Sequence, residues 1–198
     1  MVLRDGLSFA CAGFSLTDVF TEDPPALVPQ LEGDAAPPSD EDDADSVVRS
    51  WGGSKIRELV RSSELRRRYD RWMTLVENKL PRFDEMLGSD QSNELNDAMV
   101  LLLVPNDFSF VHQGPAALKM IGTNLTGTLL SARKTAIANG VRKVYAKCVS
   151  MAEPIYIRHV ASVASNQHFF LEQIALPVAA DDRREINFVL VYSAPLDD

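Results

Sequence analysis

Few residues in this chain have side chains that could carry out chemistry on a substrate. Three histidines, His112, His159 and His168, and two cysteines, Cys11 and Cys148, are its entire stock of imidazole and thiol. Two cysteines cannot build a disulfide framework or a four-ligand zinc site, and no metal-spaced Cys/His cluster surrounds them. Nucleophilic catalysis needs a Ser or Cys beside a base, and no nucleophile elbow, phosphate loop or His-Glu-x-x-His pair occurs. Cys148 falls on the apolar face of a predicted helix, where a thiol is ordinarily buried and inert. Glu153, Glu172 and Arg158 can meet across a sheet, an arrangement whose ordinary meaning is a structural ion pair. These residues point away from an enzyme, and no cofactor or metal is expected.

Charge narrows the partners. The chain has 198 residues, 20 basic against 28 acidic, a net charge of −8 and 45% hydrophobic residues. That length suits one domain, or one domain with a tail. An acidic balance offers no general attraction for nucleic acid, which needs basic surface to neutralise phosphate. No apolar run approaches the ~18–20 residues of a membrane span. Residues 1–10 lack a basic start followed by an apolar stretch, so a cytoplasmic setting is expected and membrane insertion is not. The charges are strongly segregated. From Asp5 to Val48 there are eleven acidic residues, no basic one and five prolines. Self-repulsion and proline oppose a packed core, so 21–50 is expected to be disordered within an acidic tail spanning 1–53. Ahead of it, Leu7, Phe9, Phe14, Leu16, Val19 and Phe20 form an apolar patch, read either as a docking segment or as a frayed terminus.

The elements that would position any site follow. Between 54 and 84 the balance reverses to nine basic residues against five acidic. Leu65, Tyr69, Trp72, Met73 and Val76 recur at helical spacing, predicting one long amphipathic helix from an N-cap at Ser54 to a stop at Pro81. Its aromatic stripe needs a surface, either the chain's own sheet or a second copy. Residues 85–96 read as a polar linker, and 97–198 as one compact domain. There, Ala98–Val104 and Phe108–Val111 predict a strand pair across Pro105-Asn106-Asp107. Pro115 opens a short helix, and a longer one covers about 131–152. Ile155–Val163, His168–Leu176 and Ile186–Tyr192 predict three closing strands. Consecutive strands with short turns pair antiparallel, giving an α+β fold with helices on one face.

The order strand, strand, helices, strand, strand, strand is that of a PAS domain, and several segments strengthen the likeness. These are Phe108–Val111 followed by Gly114, and Ile121-Gly122 with the loop Asn124-Leu125-Thr126-Gly127. Val141–Val149 then leads into Glu153-Pro154-Ile155-Tyr156, and Glu172-Gln173-Ile174-Ala175-Leu176-Pro177 follows. The sequence resembles the single-domain PAS-like proteins of alphaproteobacteria from Leu65 to Tyr192, without an output module. The resemblance implies a PAS-like five-stranded antiparallel sheet and a pocket between sheet and helices. Haem-binding relatives carry a His on the long helix, which has none here, so haem would have to use His159. Blue-light relatives use an Asn-Cys-Arg signature, also missing.

A pocket of this kind would be lined by Val141, Tyr145 and Cys148 from the helix. Phe110, Ile157, His159, Phe170, Phe188 and Tyr192 would line it from the strands, although a one-residue slip exchanges the two faces. Two functions are open. One is a non-catalytic signalling adaptor working by protein–protein contact through Leu65, Tyr69, Trp72, Met73 and Val76, as a homodimer or with another PAS or kinase protein. The other is a small-molecule sensor using the pocket. A link to a sensor kinase, to cell polarity or to the cell cycle is carried by the resemblance alone.

Overall fold

The computed structural model describes residues 48–76, 79–162, 168–180 and 185–196, all within the unit Asp40–Asp198. Along them run β1 (Val48–Gly52), α1 (Lys55–Leu59), α2 (Ser63–Leu75), α3 (Phe83–Leu87), α4 (Gln91–Asp97) and the hairpin β2 (Ala98–Val104) and β3 (Asp107–Gln113). Then come α5 (Pro115–Ile121), α6 (Ala136–Met151), β4 (Ile155–Ser162), β5 (His168–Val178) and β6 (Phe188–Pro195). The expected α+β, PAS-like fold is present, and its order is written in local chemistry. Pro105 fixes the first central φ of the β2–β3 turn and Asn106 takes the second at 61°, the left-handed conformation that asparagine tolerates. Pro115 sits in the first turn of α5. Thr135 caps α6 by accepting from the Ala138 N–H at 3.1 Å.

The sheet has six strands in the order β1-β4-β5-β6-β2-β3, and every pair is antiparallel. The sixth, β1, corrects the sequence reading, which placed Val48–Gly52 in the acidic tail and counted five. Val-Arg-Ser-Trp-Gly has little strand signal of its own. It is extended because it pairs along β4, from Val48 opposite His159 to Gly52 opposite Ile155. The rest of the predicted tail and its apolar patch lie outside the described residues.

Helices cover both faces of the sheet, where one face was expected. On the inner face, Met99, Leu101, Phe110, Ile157, Ala175 and Val191 pack with Val141, Tyr145 and Cys148 of α6. On the outer face lie α2 and α3. Trp72 Nε1 donates to the Pro177 carbonyl at 2.9 Å, and the rings of Phe83 and Phe188 sit 5.4 Å apart. Residues 171–178 of β5 are consequently buried without interruption.

The single long helix predicted over 54–84 is broken. Val60 is extended, and the chain restarts at Ser62, whose hydroxyl accepts from the Leu65 N–H at 3.3 Å. The break is held from the sheet, because the Glu172 carboxylate accepts from the N–H groups of Arg61 and Ser62 at 3.1 and 2.5 Å. α2 ends at Leu75, ahead of Pro81. The stretch read as a linker, 85–96, carries the end of α3 and most of α4.

Candidate functional site

The predicted pocket residues divide between the two faces. Phe110, Tyr145, Cys148 and Ile157 converge on the inner face, with Val141 beside them. Tyr145 meets Phe108 edge-on at 5.8 Å, and the Cys148 thiol lies 3.6 Å from the Ala175 carbonyl oxygen. These side chains fill the space between α6 and the sheet. Burial pushes the Tyr145 phenol and the Cys148 thiol well above their ordinary ranges, so neither ionises there. Phe188 and Tyr192 are buried on the opposite face, and Phe170 is 54% exposed. All three therefore leave the pocket, and Val189 and Val191 take the inner places on β6. The slip has a physical origin: Phe-Val-Leu-Val-Tyr is apolar at every position because both faces of β6 are covered, so alternation carries no parity.

His159 stays in the inner set as a buried polar residue. Its register partner on β1 is Val48, a member of the inner core. Burial lowers its pKa, with the Val160 carbonyl and the Gln173 side chain opposing the shift. Gln173, on the next strand, donates from Nε2 to Ser193 Oγ of β6 at 2.8 Å. His159, Gln173 and Ser193 thus set a polar row across three strands, with the Gln173 side chain beside the His159 ring and with neither His159 Nε2 nor Gln173 Oε1 in a well-formed hydrogen bond. Sequence reading named His159 but not the other two, whose partners are fixed only by strand register.

The predicted interface residues also divide. Leu65, Tyr69 and Trp72 are buried, so the chain's own sheet receives most of the stripe. Tyr69 and Trp72 nonetheless show an edge, together with Met73 and Val76, to an open groove of about 640 Å³. Its other wall is the α6–β4 junction, Met151 to Pro154, and its end is Gly53 to Arg57. Met73 and Met151 are 47% and 46% exposed. An Arg57–Asp70 ion pair at 3.3 Å lies on the rim.

Two buried polar networks also hold the outer layer. Arg158 and Glu172 are opposite each other on β4 and β5, and both bond the Tyr156 hydroxyl, Arg158 donating at 2.7 Å and the phenol donating to Glu172 at 2.6 Å. Burial and the Glu172 bond push that phenol up to about 12. Arg158 also donates to the Leu59 carbonyl at 2.7 Å. The expected Arg158–Glu172 meeting is therefore structural, and it runs through Tyr156; Glu153 is exposed and lines the groove. In the second network Arg68, 2% exposed, pairs with Glu64, Glu94 and Asp97 and lies 4.3 Å above the Tyr192 ring.

No protein-family model and no curated protein matches the chain. Solved structures give three distant likenesses. An RNA-binding light-oxygen-voltage receptor is 12% identical over 61% of this chain, with TM-score 0.43, and the chain spans 36% of that receptor. A fungal LOV domain photoreceptor is 15% identical, with TM-score 0.43, covering 63% of this chain and 86% of its own. The light state of the blue-light photoreceptor Aureochrome1 LOV is 7% identical, with TM-score 0.42, covering 56% and 91%. At those scores the likenesses decide nothing; element order and sheet order identify the fold. Among the described residues no helix is long and apolar enough to cross a membrane, and no group of three or more His, Cys, Asp or Glu could hold a metal.

Proposed function

We propose that this chain is a PAS-type signalling module that acts by binding another protein, as its resemblance to the alphaproteobacterial single-domain proteins implies. The groove between α2 and the α6–β4 junction carries the reading. Its floor presents aromatic edges, its two walls present methionines, and its rim carries charges of both signs. Flexible thioethers around a fixed aromatic floor suit an amphipathic helix from a partner such as a sensor kinase or another PAS protein. The test is photo-crosslinking in cells from Met73 and from Met151, with Leu129, exposed elsewhere, as the control position. Both groove positions should trap one segment of one partner, and Val76→Glu should abolish both adducts. Adducts from Leu129 alone, or different proteins from the two walls, would sink the idea.

A second reading rests on the polar row. His159 Nε2 and Gln173 Oε1, buried without a well-formed hydrogen bond, would give a small polar ligand two hydrogen-bonding positions on β4 and β5. Native mass spectrometry of the purified chain checks it. The expected result is extra mass that disappears in Gln173→Leu, and a bare mass in the unmodified protein returns the assignment to the groove alone.

A further inference from the structure

The helical layer over the inner face of the sheet is built without acid. From Phe108 to Ala152 the chain has six basic residues, Lys119, Arg133, Lys134, Arg142, Lys143 and Lys147, and no Asp or Glu. Ala117 of α5, Leu125, Leu130 and one side of α6 pack into the inner core, so what stays exposed on these segments faces away from the sheet. On α6 that outward row is Asn139, Arg142, Lys143, Ala146, Lys147 and Ser150, at i, i+3, i+4, i+7, i+8 and i+11, which is one face of a helix. Lys119 and Lys134 are exposed in the same layer, and Arg133 is half-buried. None of the six basic residues is in an ion pair among the described residues. The outer layer differs: there Arg57, Arg67, Arg68 and Arg82 each meet a carboxylate. A basic face left without carboxylates attracts anionic groups.

The side chains around these charges select the kind of anion. Leu118 and Leu129 are exposed at 36% and 44% in the same layer. Leucines among lysines suit the boundary between lipid headgroups and acyl chains, where an apolar side chain enters and a long basic stem carries its charge to the phosphates. Nucleic acid would require exposed rings for its bases to stack on, and the aromatic residues of this stretch, Phe108, Phe110 and Tyr145, are buried in the core. An acidic protein segment is best held by the forked guanidinium of arginine, and four of the six cations here are lysines. The net charge of −8 does not cancel the attraction. The carboxylates of the outer layer stand across the sheet, and α6 with its side chains is itself about 10–12 Å thick. That exceeds the screening length of about 8 Å at physiological salt.

We propose that the outward face of α6, with the exposed Leu118 and Leu129 of the same layer, is a docking surface for anionic phospholipid. No segment crosses the bilayer; the chain lies on it, with α2 on the far side of the sheet from the lipid. Each basic residue that reaches the surface is worth about fivefold in partitioning, so a few of them with two leucines give adsorption that reverses readily. The inference is independent of the groove, and Val76→Glu leaves lipid binding unchanged.

Co-sedimentation of the full chain with vesicles provides the test, comparing phosphatidylcholine alone with phosphatidylcholine containing about 30 mol% phosphatidylserine. The chain should pellet with the anionic vesicles only, and binding should fall steeply as salt rises toward about 0.5 M. Lys143→Glu with Lys147→Glu should weaken it about tenfold or more. Lys55→Glu with Lys79→Glu, both exposed and away from this face, changes the net charge equally and should leave binding within about twofold. Leu129→Ser should weaken binding without altering its salt dependence. All of these positions are exposed, so thermal unfolding of each variant should match that of the native chain. Equal binding to neutral vesicles, or binding to neither, would overturn the assignment. So would a loss in the Lys55 and Lys79 variant as large as that in the Lys143 and Lys147 variant. Tighter retention of polyadenylate or polyglutamate than of the anionic vesicles would place nucleic acid or an acidic protein on this face instead, and would equally overturn it.

Discussion

A carboxylate as buried as Glu172, 1% exposed, survives in a sheet only because donors converge on it. Two backbone N–H groups from the break between α1 and α2 and the Tyr156 hydroxyl supply them. Glu172→Ala leaves all three unmatched and should cost on the order of 3 kcal/mol in urea unfolding; the isosteric Glu172→Gln keeps an acceptor and should cost less. His159 acts in the opposite sense. Burial lowers its pKa below the ordinary 6.5, so the fold holds it neutral while the unfolded chain protonates it near 6.5. The stability it contributes is complete above that pH and is lost as pH falls toward its folded value, with a slope of at most about 1.4 kcal/mol per pH unit. His159→Gln should flatten the stability profile between about pH 6.5 and 5.5. An unchanged slope by urea titration would show that other groups set it.

Among the elements, α6 and β1 are joined through one missing side chain. In an open helix Gly→Ala gains about 1 kcal/mol, but a Cβ at Gly140 meets Val48 atoms at 2.9 and 3.2 Å. Gly140→Ala should therefore destabilise the chain, and the sign should reverse in a Val48→Ala background, a coupling that thermal unfolding of the four proteins measures. This contact also shows where the sequence stopped being legible. The β2–β3 hairpin, α5, α6 and β4–β6 were readable, because proline, asparagine and threonine mark their ends and apolar runs fill their middles. β1 was not, since Val-Arg-Ser-Trp-Gly is a strand only while β4 lies beside it. The break at Val60 was hidden for the same reason, its cause being a carboxylate about 110 residues away. At the candidate sites, His159 and the Tyr69–Val76 stripe were visible as residue types in a pattern. Gln173 and Ser193 acquired meaning only from register, and Phe188 and Tyr192 were assigned to the wrong face because a strand covered twice has no alternation to read.

Taken as a whole, the molecule is a sheet between two unequal layers. The inner layer is α6 with the shorter α5, packed on aliphatic and aromatic side chains. The outer layer is four short helices attached by Trp72, by the Arg68 cluster and by the Glu172 network. Polar anchors of that kind lose more than an apolar contact when one partner goes. Trp72→Ala should therefore cost about 3–5 kcal/mol and loosen 55–90 as a unit. Hydrogen exchange should then show α1–α3 amides losing protection ahead of those of α6. Uniform loss across both layers would mean that the two open together.

The Trp72–Pro177 bond joins residues 105 positions apart, and that separation matters before the protein exists as a finished chain. At about 5–20 residues per second, synthesis takes roughly 5–20 s to travel from one to the other. Through that interval Leu65, Tyr69 and Trp72 have emerged and β5 has not. On the ribosome, then, the outer layer is a nascent amphipathic segment waiting for its sheet. The charged residues that alternate with its apolar ones, Arg66, Arg67 and Asp70 among them, keep it in solution until that sheet arrives.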